Sequence, residues 1–195
     1  MIIKTFRLRA KNIAAAVVLT IVAAAAVKAA PPAAKAVFSI ASGEKRLLPI
    51  YSVETEEPEI AISFDAAWGA DDTDTLLEIL EDNDVKTTFF MCGYWIDKYP
   101  DEVKKIAEAG HDLGNHSATH PHMSKLTKEQ IADEIKDTGN KIEELTGVKS
   151  ELFRAPFGEY TNDVISTAEE LGYYTIQWDV EGIDTKLKTT FSNQL

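Results

Sequence analysis

The chain has 195 residues, 45% of them hydrophobic and 27% charged, enough to bury one sizeable core and too apolar for a disordered tail. Six of its 20 Lys and Arg fall in the first 35 residues, which hold no acid, so the rest of the chain sets 14 bases against 32 acids. An acidic body of that kind repels phosphate backbones and argues against nucleic acid as a partner, while Cys92, the only cysteine, excludes an internal disulfide and any cysteine-rich metal site.

At the N-terminus, Lys4, Arg7, Arg9 and Lys11 precede an uncharged run rich in Ala and Val over residues 13–27, followed by small residues and Pro31-Pro32. Basic flank, apolar stretch and small residues in that order make a signal peptide or short membrane anchor over residues 1–36. The run is shorter than the roughly 20 residues that span a bilayer as a helix. Export is therefore expected, to the extracellular space, the cell wall or the outer face of the membrane, with membrane attachment through this segment if it is retained. A lead-in segment over 37–58 follows, with a strand expected at 47–53.

From there apolar runs alternate between two periods. Residues 60–64 read as a strand and 72–83 as a helix with Leu76, Leu77 and Leu80 on its inner face. A strand follows at 87–91. Pro100 opens a helix that ends at Gly110, Pro in the first turn and Gly just past the last. The strongest helix covers 127–146, with Ile131, Ile135, Ile142 and Leu145 in one stripe, Thr127 and Gln130 as a capping box and Gly147 as its stop. A strand at 152–154, a helix at 162–171 closed by Gly172 and a strand at 173–178 complete the pattern. The fold class is α/β, a parallel sheet wrapped by helices, open or closed into a barrel. In both forms chemistry sits beyond the C-terminal ends of the strands, and there stand Asp65, His116, His120, Arg154 and Asp179.

All four histidines lie between residues 111 and 122. His116 and His120 are four apart, so one helical turn would bring both imidazoles to one side, where neutral ring nitrogens can share a divalent ion. Zinc is expected from ligand type, with cobalt, nickel or manganese as alternatives. Each residue alone also has an ordinary reading: Asp65 as a helix N-cap, Arg154 in a surface ion pair, Cys92, Trp68 and Trp178 as core packing. His111 and His122 receive no role.

Taken together, Ser63-Phe64-Asp65, the pair His116 and His120 within Asn-His-Ser-Ala-Thr-His, and Arg154-Ala155-Pro156-Phe157-Gly158 resemble the first three motifs of the polysaccharide deacetylases, the NodB-homology or carbohydrate esterase family 4 enzymes. The resemblance runs from about Ile60 to Asp184, and the phrases around Leu48-Pro49-Ile50-Tyr51 and Ala66-Ala67-Trp68-Gly69 look like the sporulation-associated branch. It implies a (β/α) barrel of the NodB type over residues 59–184 and a metal-dependent hydrolase that removes N-acetyl groups from peptidoglycan or a chitin-like glycan. By the same resemblance Asp65 would be the general base and His116 and His120 the metal ligands. Arg154 would tether the base, Asp184 would hold Arg154 in turn, and Pro156, Phe157 and Gly158 would wall the sugar groove. Trp178 or Trp68 would stack on a sugar face.

Three departures from the family pattern stand beside these expectations. Ala66 occupies the place of a metal-binding Asp, Thr185 that of a Trp, and the late Leu-x-His motif with its general-acid histidine is missing. The tail over 185–195 matches nothing in the family, so the barrel is expected to be incomplete at its C-terminal end. A catalytically inactive wall-binding or structural protein of the same fold is the alternative function.

Overall fold

The computed structural model describes residues 45–180. The signal layout over 1–36, Asp184 and the tail over 185–195 lie outside the described residues.

Five strands form one parallel sheet in chain order: β1 (Ser63–Ala66), β2 (Thr88–Met91), β3 (Asp112–Asn115), β4 (Leu152–Phe153) and β5 (Tyr174–Thr175). Between β1 and β2 lies α1 (Thr73–Asp82), and between β2 and β3 lie α2 (Gly93–Lys98) and α3 (Pro100–Glu108). The connection from β3 to β4 carries α4 (Lys128–Thr146), and that from β4 to β5 carries α5 (Asn162–Glu170). Each new strand joins the same growing edge, which is the winding of a barrel rather than of a doubly wound sheet that reverses at its middle. The register Asp65↔Phe90↔Gly114 and Asn115↔Phe153 brings the C-terminal ends of four strands to one side of the sheet.

The core divides along the sheet. Leu80, Phe89, Met91, Trp95, Val103 and Ile106 fill the space under α1 to α3, and Met123, Ile131, Ile135, Phe153, Val164 and Ala168 that under α4 and α5. The caps on α4 follow the expectation. Gln130 N–H donates to the Thr127 hydroxyl and Thr127 N–H to the Gln130 side-chain oxygen, and Gly147 ends the helix at φ 72°. No described helix is long and apolar enough to cross a membrane.

Three expectations change. The strand expected at 47–53 is a single parallel bridge, Ile50 to Ile176 on the outer side of β5, held by two bonds, Ile50 N–H to the Thr175 carbonyl and Gln177 N–H to the Ile50 carbonyl. The strand expected at 60–64 begins at Ser63, because Ser63 pairs with Thr88, the first residue of β2, and Ile60 and Ile62 have no strand beside them. The end strands are also shorter than expected, with Arg154 and residues 176–178 outside them. One helix, α2, was not expected at all.

Gly114 shows how tightly the central strands fit. A β-carbon there would stand 2.4 Å from the ring of Phe90, which is itself fully buried. Gly114→Ala should therefore cost about 1–3 kcal/mol through displacement of that ring, measurable as a lower urea midpoint at unchanged slope.

Candidate active site

Asp65 and Arg154 meet across the sheet. Arg154 follows β4 directly, and its Nη1 donates to Asp65 Oδ1 at 2.7 Å while Nη2 donates to Ser63 Oγ at 2.8 Å. Strands β1 and β4 are three spacings apart in the sheet, about 14 Å if it were flat, so a direct contact between these side chains requires a strongly curled sheet. The guanidinium lies over the Phe90 ring at 3.9 Å from its centroid, with the Trp178 ring 5.5 Å away. Thus the glycine at 114 makes room for Phe90, and Phe90 is the floor on which Arg154 rests. Arg154 is only 5% exposed. Its Nε is buried and has no hydrogen-bond partner among the described residues.

His116 stands immediately after β3 and is buried. Its Nδ1 lies 2.8 Å from the Arg154 carbonyl. A carbonyl only accepts, so Nδ1 carries the proton and Nε2 keeps its lone pair. That Nε2 faces Asp65 Oδ2 at 3.7 Å, beyond hydrogen-bonding reach. Burial, the largest influence, lowers the pKa of both His116 and His120 below the usual imidazole value, which favours the neutral, ligand-competent form of each.

The two rings lie 5.1 Å apart, centroid to centroid, but no helical turn joins them. Ser117 and His120 both take positive φ, 67° and 56°, and the segment folds back on itself. Local side-chain bonds hold this shape: Asn115 Oδ1 accepts from Ser117 N–H, Ser117 Oγ from His120 N–H, and Glu134 on α4 accepts from both the amide and the hydroxyl of Thr119. The Ser117 and Ala118 carbonyls in turn accept from Gly93 and Tyr94 at the start of α2. The unexpected helix is thus one wall of the cradle around the histidines.

As a donor set, the imidazole pair suits a divalent ion of the zinc type. No group of three His, Cys, Asp or Glu able to hold a metal occurs among the described residues, and at position 66, next to Asp65, β1 offers a methyl in place of a carboxylate.

The model of the polysaccharide deacetylase family matches residues 52–176. The chain belongs to the polysaccharide deacetylase family. It is 40% identical over 136 residues to the uncharacterized protein YlxY of Bacillus subtilis, covering 70% of this chain and 43% of that one. It is 32% identical over 138 residues to the peptidoglycan-N-acetylmuramic acid deacetylase PdaA of Bacillus subtilis, covering 70% and 52%. Among solved structures, BA3943 of Bacillus anthracis, described as a carbohydrate esterase family 4 pseudoenzyme, superimposes with a TM-score of 0.70 at 35% identity, over 72% of this chain and 50% of that one. A mutant of it is described as having restored enzymatic activity. The chain spans about half the length of the curated relatives it matches.

The segment after Arg154 runs past the histidines. Pro156 is buried, whereas Phe157, at φ 59°, turns an exposed ring edge-on to His120 at 4.6 Å. Gly158 lies so close to Gln177 and Trp178 that a β-carbon would stand 2.9 Å from the Gln177 amide nitrogen. Trp178 is half-buried between Gly158 and Arg154. His122, given no role from sequence, stacks on Phe157 at 4.5 Å and pairs with Glu159 at 3.0 Å, and Ser124 Oγ donates to the same carboxylate at 2.9 Å. Nothing in the spacing of those residues pointed to that cluster. A surface hollow also lies elsewhere, at the N-terminal ends of β4 and β5, lined by Leu48, Glu151, Glu169 and Tyr174. With no imidazole and no guanidinium in it, that hollow lacks the chemistry of the strand C-terminal ends.

Proposed function

We propose that this chain is a metal-dependent N-deacetylase of a cell-wall glycan, peptidoglycan in the first instance, with a divalent site weakened by Ala66. The observation that carries the reading is the Asp65–Arg154 pair set beside two neutral imidazoles at the strand C-terminal ends. Arg154 holds one oxygen of Asp65, and the other, 3.7 Å from His116 Nε2 on a carboxylate one-third exposed, is the oxygen that would take a proton from a water attacking the acetamide carbon. When the carbon-nitrogen bond breaks, acetate and an amine result, and the proton held on Asp65 is the one the amine requires. His116 and His120 would hold the ion, zinc by ligand type with cobalt, nickel or manganese as alternatives, and it would supply Lewis acidity at the carbonyl oxygen. The unpartnered Nε of Arg154 is the position at which Asp184 would act. The acidic body suits a substrate without phosphate. Export through residues 1–36 and a sporulation-associated role belong to the same reading.

Acetate release from N-acetylglucosamine oligomers and from peptidoglycan, measured across added zinc, cobalt, nickel and manganese, tests it. Release should rise with metal, disappear with a chelator and disappear in Asp65→Asn. A second reading, a non-catalytic wall-binding protein, is favoured by Ala66 and by the likeness to the BA3943 pseudoenzyme. It expects no acetate at any metal concentration, with glycan binding that survives both the chelator and Asp65→Asn.

A further inference from the structure

We propose that Glu134 is a positioning residue for the candidate metal site: by gripping Thr119 from helix α4 it fixes where His120 stands, and so sets how tightly His116 and His120 share an ion. This role rests on the metal-dependent reading above and assigns part of that site to a residue outside the motifs that line it.

The two histidines are held in different ways. His116 is buried and its own ring is oriented by the hydrogen bond to the Arg154 carbonyl. His120 is only half-buried, and its ring packs among those of Trp68, His116 and Phe157, contacts that fix direction less sharply than a hydrogen bond does. Its placement therefore falls to its backbone, which stands at φ 56°. A side-chain-bearing residue keeps that conformation only where its surroundings over-determine it.

The surroundings act from both sides of Thr119. Before it, the Ser117 and Ala118 carbonyls accept from Gly93 and Tyr94; after it, His122 pairs with Glu159. Thr119 itself is exposed, and both oxygens of Glu134 are given to it: Oε2 accepts from its N–H at 2.8 Å and Oε1 from its hydroxyl at 2.7 Å. Glu134 can act as a fixed point because Ile131 and Ile135 beside it are buried and α4 is capped at both ends. A ligand held from a rigid element keeps its geometry, and one left on a loose loop does not. Removing the clamp frees the stretch around His120 while residues 118 and 122 stay tied, so the expected defect is local.

The test uses the full chain, with zinc as the probe, followed by calorimetry, and the ring contact of His120 with Phe157 followed by NMR in the metal-free protein. Glu134→Ala should weaken zinc binding about tenfold, as removal of partners behind a metal ligand does, and should weaken the ring contact. Glu134→Gln should restore most of both, because its oxygen accepts from the Thr119 N–H and its amide donates to the hydroxyl, which accepts as well as donates. Thr119→Val, which loses only the hydroxyl bond, should fall between wild type and Glu134→Ala. Thr127→Ala is the control: it removes the cap of the same helix and lowers the urea midpoint, yet should leave zinc affinity and the ring contact unchanged. Wild-type zinc affinity in Glu134→Ala overturns the proposal, as does an equal loss in Glu134→Ala and Thr127→Ala, which would make Glu134 a support of the fold alone. If the wild-type chain takes no zinc, the metal reading fails, and the ring contact then decides the positioning role: kept in Glu134→Ala, it overturns that role too; lost there and kept in Thr127→Ala, it upholds it.

Discussion

Asp65→Ala should lower stability by about 3 kcal/mol as well as abolish acetate release. The reason lies in Arg154 rather than in the lost base. Its guanidinium is almost fully buried, is always charged and cannot escape by losing a proton. With Asp65 gone, Nη1 loses its partner at 2.7 Å, Nε has none among the described residues, and only Ser63 and the faces of Phe90 and Trp178 remain. Removing one member of a buried ion pair costs about 3–5 kcal/mol, and the lower end applies because the Asp65 side chain is one-third exposed and water can enter in its place. Asp65→Asn keeps the shape and one acceptor oxygen, so its expected loss is about 1 kcal/mol, with activity lost equally because an amide cannot take the proton. Urea unfolding of the two variants separates the effects. Equal stability of Asp65→Ala and wild type would mean that the pair does not hold the site together.

The residues of this site were legible in the sequence more readily than its shape. Helix α4 could be read in full because its signals are local: Thr127, Gln130 and Gly147 act on backbone within one turn, and Ile131, Ile135 and Ile142 repeat at the helical period. Asp65, His116 and Arg154 could be placed at strand ends because a parallel sheet puts chemistry there whatever its curvature. The contact between β1 and β4 depends on that curvature, and hence on Gly114 yielding space to Phe90, a relation between residues 24 apart that no local pattern carries. The histidine segment departs from the expected helical turn for a similar reason. A spacing of four fits a helical turn, yet Asn115, Ser117 and Glu134 satisfy the backbone of a looped form instead. Helix α2 has six residues and starts on a glycine, too short to show a period and poor in helix propensity, so packing against Ala118 decides it.

Ala66→Asp should raise zinc affinity on the order of 100-fold or more, the second large effect expected here. Ala66 ends β1 opposite Met91, its carbonyl accepts from Cys92 N–H at 3.1 Å, and its methyl packs partly against the Leu80 and Phe89 cluster. Without metal, a carboxylate there is partly desolvated and stands one residue from Asp65, so the metal-free variant should be less stable than wild type by about 1–2 kcal/mol. With metal, the donor set becomes two imidazoles and a carboxylate, the three protein ligands typical of a catalytic zinc site. Because the ion binds only the folded form, zinc at 100 times its dissociation constant stabilises by about 2.7 kcal/mol. The variant's melting temperature should therefore start below that of wild type and climb above it as zinc is added, while wild type responds only at far higher concentrations. If zinc moves both proteins equally, the new carboxylate does not reach the ion. If the variant alone binds zinc tightly and alone releases acetate, Asp65 and Arg154 are competent as they stand, and the methyl of Ala66 is what separates this chain from catalysis.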